Sequence, residues 1–205
     1  IYRDIATLMA QRVPIRGEAG IGYVLDGGFD MPPLMLTSDE IEAAVLGAQW
    51  VAGRGDPALA RAARDLVAKI AATVPEGLRP VVLEPAVASP PSWKVMPETL
   101  DMSRVRAWVH AGRKLILRYR DEQDRESLRT IWPFLIGYLD TTRLLVGWCE
   151  MRADFRTFRT DRVVEATFLE DRYPGRPAVL RARWYAAREA ERKASGCDVR
   201  PAGPQ

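Results

Sequence analysis

Apolar residues recur first at helical spacing and then, beyond residue 113, at every second position, and that change of period divides the chain into two kinds of structure. Ile1, Ile5, Leu8 and Met9 follow the i, i+4, i+7, i+8 stripe of an amphipathic helix over residues 1–11, with Tyr2, Arg3 and Thr7 off the stripe. After Pro14, PIRGEAGIGYVL sets short apolar stretches around a glycine-containing turn and predicts a small hairpin. One helix and one ribbon bury too little apolar area to stand alone, so further helices are expected ahead of them. GGFDMPPLML (27–36), with two glycines and two prolines, breaks the period and predicts a linker. Thr37 and Glu40 make a capping box for a helix whose inward face is Ile41, Ala44, Val45 and Ala48. Asp56 and Pro57 supply the N-cap and first residue of the next helix, with the stripe Leu59, Ala63, Leu66, Val67 and Ile70. The proline-rich stretch 75–97 is expected to be irregular, with VVLEPAV (81–87) as a strand.

Residues 103–112 predict a short helix, after which the period becomes two. KLILRYRD (114–121), SLRTIWP (127–133), RLLVGWCEM (143–151) and FRTFRTDRVVEATFL (155–169) alternate and predict four to five short strands, a small antiparallel barrel or strongly bent sheet. Pro174 to Pro177 interrupts the chain. A last helix over 178–194 carries Leu180, Trp184 and Ala187 on one side, and a tail follows from Ser195. The fold class is α+β.

Composition narrows the function. With 205 residues, 47% of them hydrophobic, the chain can build one large domain or two small ones. A net charge of only +3 argues against a wholesale polyanion binder, so any basic surface is local. Arginines number 26 against four lysines. Genomic base composition explains that skew as well as function does, but it supplies many planar forks suited to phosphate. Cys149 and Cys197 show no metal or redox spacing, which fits a reducing compartment without a disulfide framework or zinc site. No apolar run approaches the roughly 18–20 residues a bilayer span needs, and no signal-peptide pattern opens the chain, so a cytoplasmic location with no membrane partner is expected. His110 is the single histidine and has no nucleophile near it in sequence; no nucleophile elbow, phosphate loop or dinucleotide fingerprint occurs. Neither an enzyme nor a cofactor is expected.

Two stretches carry a family likeness. IYRDIATLMAQRVPIRGEAGIGYVL (1–25) resembles the recognition helix and wing of the helix-turn-helix regulators that carry a WYL domain, the DeoR-like or YafY-like group. RTIWPFLIGYLDTTRLLVGWCEMRADFRTFRTDRV (129–163) resembles the WYL domain itself, although the Trp-Tyr-Leu triplet falls on Arg143, Leu144 and Leu145. The resemblance implies a transcriptional regulator, usually dimeric, whose Sm-like barrel senses a nucleotide or single-stranded nucleic acid. It divides the chain into the end of a winged helix-turn-helix domain (1–26), a linker and helical region (27–99), a WYL domain (100–170) and a C-terminal helix and tail (171–205).

Within that frame the candidate residues take roles. Tyr2 and Thr7 can donate to operator phosphates, Arg3 can reach a phosphate or a guanine edge, and Arg16 lies where a wing meets the DNA backbone. Arg152, Arg156, Arg159 and Arg162, with Arg118, Arg129 and Arg143 on neighbouring strands, form the candidate site for an anionic effector. Tyr119, Trp132, Phe155 and Phe158 are candidate faces for base stacking. Strand parity sets Arg156 and Arg162 on one face and Arg159 on the other, so convergence requires a loop or bulge near 152–156. The bland alternative pairs these arginines with Asp154, Glu150 and Asp161 and sends the aromatics to the core. In the sensing mechanism the effector alters how the linker helices of a homodimer space two recognition helices on double-stranded DNA. A non-sensing dimerisation module is the main rival, and an enzyme acting on nucleotides is a remote one.

Overall fold

The computed structural model describes residues 2–10, 15–18, 20–25, 35–90 and 100–195. The linker 27–34, the stripe residue Ile1 and the tail from residue 196, Cys197 included, lie outside the described residues. The chain divides into two compact units, Ile1–Ile41 and Glu42–Gln205.

In the first unit, helix α1 (Tyr2–Ala10) precedes a two-stranded antiparallel hairpin of β1 (Ile15–Glu18) and β2 (Gly22–Leu25). Gly17 has φ 132°, and a Cβ there would collide with the carbonyl oxygen of Gly22 across the ladder, so only glycine serves. The Tyr2 and Tyr23 rings meet at 6.2 Å, tying helix to hairpin. The capping box expected at Thr37 is formed: its backbone N–H donates to Glu40 Oε2 at 2.7 Å, and the Glu40 N–H donates back to Thr37 Oγ1 at 3.3 Å.

That box opens α2 (Ser38–Arg54), which turns through an elbow at Gly55 into α3 (Pro57–Thr73). The segment expected as a strand forms none: a 3₁₀ turn (Glu76–Leu78) leads into α4 (Arg79–Leu83), which takes in its first three residues, and 84–87 are irregular. Pro80 sits in its first turn, where no amide hydrogen is needed, and Val82, 3% exposed, is its buried residue. A run of apolar residues too short to show a period was open to either reading.

Helix α5 (Met102–Ala111) is capped by Asp101, which accepts from Arg104 N at 3.0 Å, and ends on Gly112 in the left-handed conformation at φ 65°. Five strands follow, β3 (Arg113–Arg120), β4 (Glu126–Tyr138), β5 (Arg143–Cys149), β6 (Asp154–Arg159) and β7 (Val163–Arg172), then α6 (Pro177–Ala194). They form one antiparallel sheet in the order β6-β5-β4-β3-β7. The fold is therefore mixed α and β, with helices before the sheet and one after it. The stretch 155–169, the last of the segments expected to supply four to five strands, is broken by a 3₁₀ turn at Thr160–Arg162, which sends β6 and β7 to opposite edges of the sheet. A register shift between Pro133 and Leu135 bends β4, which pairs with β3 along its first half and with β5 along its second.

Each face of the sheet has its own helix. Met102, Val105 and Val109 of α5 pack with Leu115, Leu117, Ile131, Leu145 and Phe158, a cluster in which the three leucines and Ile131 are fully enclosed. Leu180 and Trp184 of α6 pack with Phe134, Val146, Tyr173, Trp132 and Phe155 on the other. Each enclosed aliphatic side chain stabilises the fold by about 1.5–3 kcal/mol. The Tyr173 hydroxyl donates to the Pro133 carbonyl at 2.8 Å, and burial pushes its pKa up to about 12.

Candidate functional site

Cross-strand partners share a face of the sheet, so the ladder fixes where each candidate arginine stands. Arg129 pairs with Leu117, and Arg156 pairs with Gly147, in line with Cys149 and Ile131; both arginines thus belong to the α5 face. Arg118 and Arg159 stand on the opposite face, where Arg159 pairs with Leu144. Parity separates Arg156 from Arg159, and the break that relieves the strand lies at 160–162, with a second turn at 150–153.

The structure accordingly gathers the arginines in two groups. Around the β5–β6 turn stand Arg129, Arg152 and Arg156. The Glu150 N–H donates to the Thr130 carbonyl at 3.0 Å, which fastens the turn beside β4. Ala153 closes it at φ 48°. Arg129 is half-buried; its Nε donates to Ser127 Oγ at 3.0 Å, and its Nη1 lies 2.6 Å from Met151 Sδ. Among the described residues Arg129 forms no ion pair, and neither does the exposed Arg152. Arg156 reaches Asp154 at 3.5 Å, both side chains more than half exposed.

The second group surrounds the 3₁₀ turn. Arg159 grips Asp161 with two nitrogens, at 3.1 and 2.8 Å, and that hydrogen bonding holds the Asp161 carboxyl below the usual range despite its partial burial. Thr142 also donates to Asp161. Arg162 donates to Glu122 at 3.1 Å. Tyr119 links the two groups: its carbonyl accepts from Ser127 Oγ at 3.4 Å, and its hydroxyl accepts from the Arg159 backbone N–H at 3.4 Å. Arg118 stands apart between Glu126 and Glu165, at 3.6 and 3.2 Å.

The aromatic candidates separate as well. Phe158 is 5% exposed and meets Tyr119 edge-on at 5.2 Å, so its ring belongs to the core, while Tyr119 is half-buried. Trp132 and Phe155 lie on the α6 face, away from Arg129 and Arg156. The Trp132 indole donates to Glu150, whose carboxyl is held low chiefly by Lys114.

Arg143 is elsewhere in kind. It is 5% exposed, and its Nη2 donates to the carbonyls of Gly55 at 3.1 Å and Arg54 at 3.4 Å, the last residues of α2 and its elbow. Its guanidinium also covers the Tyr138 ring at 5.8 Å. Beside it Asp56, 2% exposed, accepts from Ala58 N, Leu59 N, Arg106 and the Tyr138 hydroxyl. Sequence reading identified Asp56 as a cap but had no signal for Arg106 or Tyr138, which register alone brings to it. Ser127 and Met151 were missed for the same reason.

Of the DNA-contact candidates, Tyr2, Arg3, Thr7 and Arg16 are exposed on α1 and β1. The Thr7 hydroxyl turns back to donate to the Arg3 carbonyl at 2.9 Å. Among the described residues no cluster of three or more histidines, cysteines or carboxylates is placed to hold a metal, and no described helix is long and apolar enough to cross a membrane.

Comparison with known proteins bears on the sheet. Among solved structures the chain is similar to Proteasome accessory factor B/C (PafBC) of Arthrobacter aurescens, at 22% identity and a TM-score of 0.37, over 75% of this chain and 23% of that one. The chain thus spans less than a quarter of that protein's length. Residues 101–168, from the cap of α5 into β7, match the family model of the WYL domain. That match takes in helix α5, strands β3 to β6 and part of β7.

Proposed function

We propose that the chain belongs to a cytoplasmic, non-enzymatic transcriptional regulator that senses an anionic effector, a nucleotide or single-stranded nucleic acid, at the arginines around the β5–β6 turn. The observation that carries this reading is Arg129: a half-buried guanidinium, positioned by a hydroxyl and a thioether, that forms no ion pair among the described residues. A cation held that way, next to Arg152 and Arg156, has donors to give to phosphate.

Magnitudes favour exchange at Arg156. An exposed ion pair contributes about 0–1 kcal/mol, whereas a charge-assisted hydrogen bond to an anion contributes about 1.5–3 kcal/mol. Effector phosphate therefore displaces Asp154 from Arg156, and Arg162 can leave Glu122 similarly, while the forked pair of Arg159 with Asp161 persists. Tyr119 offers the stacking face. Arg118, Arg143 and Phe158 have no direct part in this site. Helix α1 and the hairpin act as recognition helix and wing on double-stranded operator DNA, with Tyr2, Arg3, Thr7 and Arg16 as contacts and a homodimer reading two half-sites.

The test is a titration of a labelled short oligonucleotide, and of nucleotides in competition, against the chain and its Arg129→Ala, Arg156→Ala double variant. We expect binding at micromolar level weakened by about 10- to 100-fold in the variant, with molecular size unchanged. Equal affinity in both would reject the site. One observation favours a second reading, a WYL domain kept for dimerisation: Arg156, Arg159 and Arg162 each have a carboxylate partner. That reading predicts no oligonucleotide or nucleotide binding and an unchanged dimer.

A further inference from the structure

A helical hairpin exposes carbonyls where its first helix ends and amides where its second begins, and these need partners if the elbow is buried. At the α2–α3 elbow the carbonyls are served from the sheet, and the amides by Asp56, which the sheet holds in turn. Gly55 makes the turn tight, since a Cβ there would lie 2.6 Å from the Val51 carbonyl oxygen. Arg143 donates to the carbonyls of Arg54 and Gly55, and Tyr138 donates its hydroxyl to Asp56 at 3.0 Å, the residue that caps α3. Tyr138 and Arg143 are direct partners across the β4–β5 ladder. A single cross-strand pair thus holds the end of one helix and the start of the next.

Two further contacts fasten the same place. The Arg54 side chain, 9% exposed, donates to Asp140 in the β4–β5 turn at 2.7 Å and to Ser89 at 2.9 Å. Arg106 of α5 pairs with Asp56. The polarity is unusual for so buried a position: among the described residues Arg143 has carbonyl acceptors and a ring as partners, and its Nε has no hydrogen-bond partner. A shape-filling apolar side chain would stabilise the elbow at less desolvation cost, so this arginine is a choice for directional bonding.

We propose that the Tyr138–Arg143 pair is a polar joint that clamps the α2–α3 elbow to the end of β5, so that α2 is positioned by the sheet and not by a loose connection. The β5 strand has the joint at Arg143 and, beyond its other end at Cys149, about 20 Å away for seven residues, the β5–β6 turn with Arg152, while Arg156 pairs with Gly147 near that end. As a regulatory device the joint rests on the effector reading given above; as a clamp it stands without it. A displacement of β5 by an anion at its far end would reach the end of α2 through the bonds of Arg143 to the Arg54 and Gly55 carbonyls.

Amide hydrogen exchange on the full chain, without ligand, tests the clamp. In Arg143→Met the amides of Gly55, Ala58, Leu59 and Ala60 should exchange about tenfold faster, while those of Leu117, Leu145 and Val146 stay within about twofold. Tyr138→Phe, which removes one hydroxyl and leaves the ring, should loosen Ala58 and Leu59 in the same direction. Unchanged elbow protection in both variants, or loss spread equally over elbow and sheet, would overturn the proposal. Oligonucleotide affinity measured on Arg143→Met separates the two ideas. A joint residue leaves it within about threefold, and a tenfold loss makes Arg143 an effector ligand and rejects the assignment. If the unaltered chain binds no oligonucleotide, the effector reading falls and the exchange result still decides the clamp.

Discussion

Asp56 shows how much a single buried carboxylate can organise. It accepts from two amides of α3, from Arg106 and from Tyr138. Burial pushes its pKa up, and these donors outweigh burial and hold it below the ordinary value. A depressed carboxylate stabilises the fold at pH values above its unfolded pKa, about 3.9, and that contribution is lost as pH falls through the folded value. Asp56→Ala should therefore destabilise the chain by about 2–4 kcal/mol at neutral pH, from the lost cap and the stranded Arg106, with the difference from the unaltered chain shrinking below about pH 4. Denaturant melts at both pH values check it; a deficit independent of pH would mean that packing and not charge is responsible. Arg129 differs because its partners are neutral. Its alanine variant should leave stability within about 1 kcal/mol while weakening anion binding, and a large loss of stability would make it a structural residue.

At the scale of elements, helices α2 and α3 announced themselves through stripes and caps, whereas α4 did not. The Thr37–Glu40 box, the Asp56–Pro57 start and the alternation of 114–121 all sit where sequence placed them, because these signals are local. Long-range registration was not legible. Nothing between Arg129 and Met151 in sequence says that a guanidinium and a thioether will touch; that follows from the bend of β4 and the turn at 150–153. The break at Thr160–Arg162 was equally hidden, since its residues continue the alternation of a strand. Arg143 looked like one more basic residue on a strand until the elbow of α2 and α3 came to rest on it. Leu117→Ala, at the enclosed centre of the α5 face, should cost about 2–5 kcal/mol in denaturant unfolding. Gly17→Ala should disrupt the β1–β2 hairpin, seen as loss of its cross-strand NOEs, and leave the exchange protection of β3 to β5 intact; persistence of the hairpin would show that its backbone tolerates a side chain.

Across the whole molecule, strand β5 joins the α2–α3 elbow, held at Arg143, to the β5–β6 turn, where we propose that guanidinium groups hold an anionic effector. Fluorescence anisotropy of a labelled short single-stranded oligonucleotide, titrated with the full chain between about 50 and 200 mM salt, tests that claim most directly. Three phosphate contacts predict micromolar affinity at low salt and a slope of log affinity against log salt of about −2, reduced by about 0.7 in Arg129→Ala. Absence of binding at low salt, or binding whose strength ignores both salt and Arg129, would contradict it.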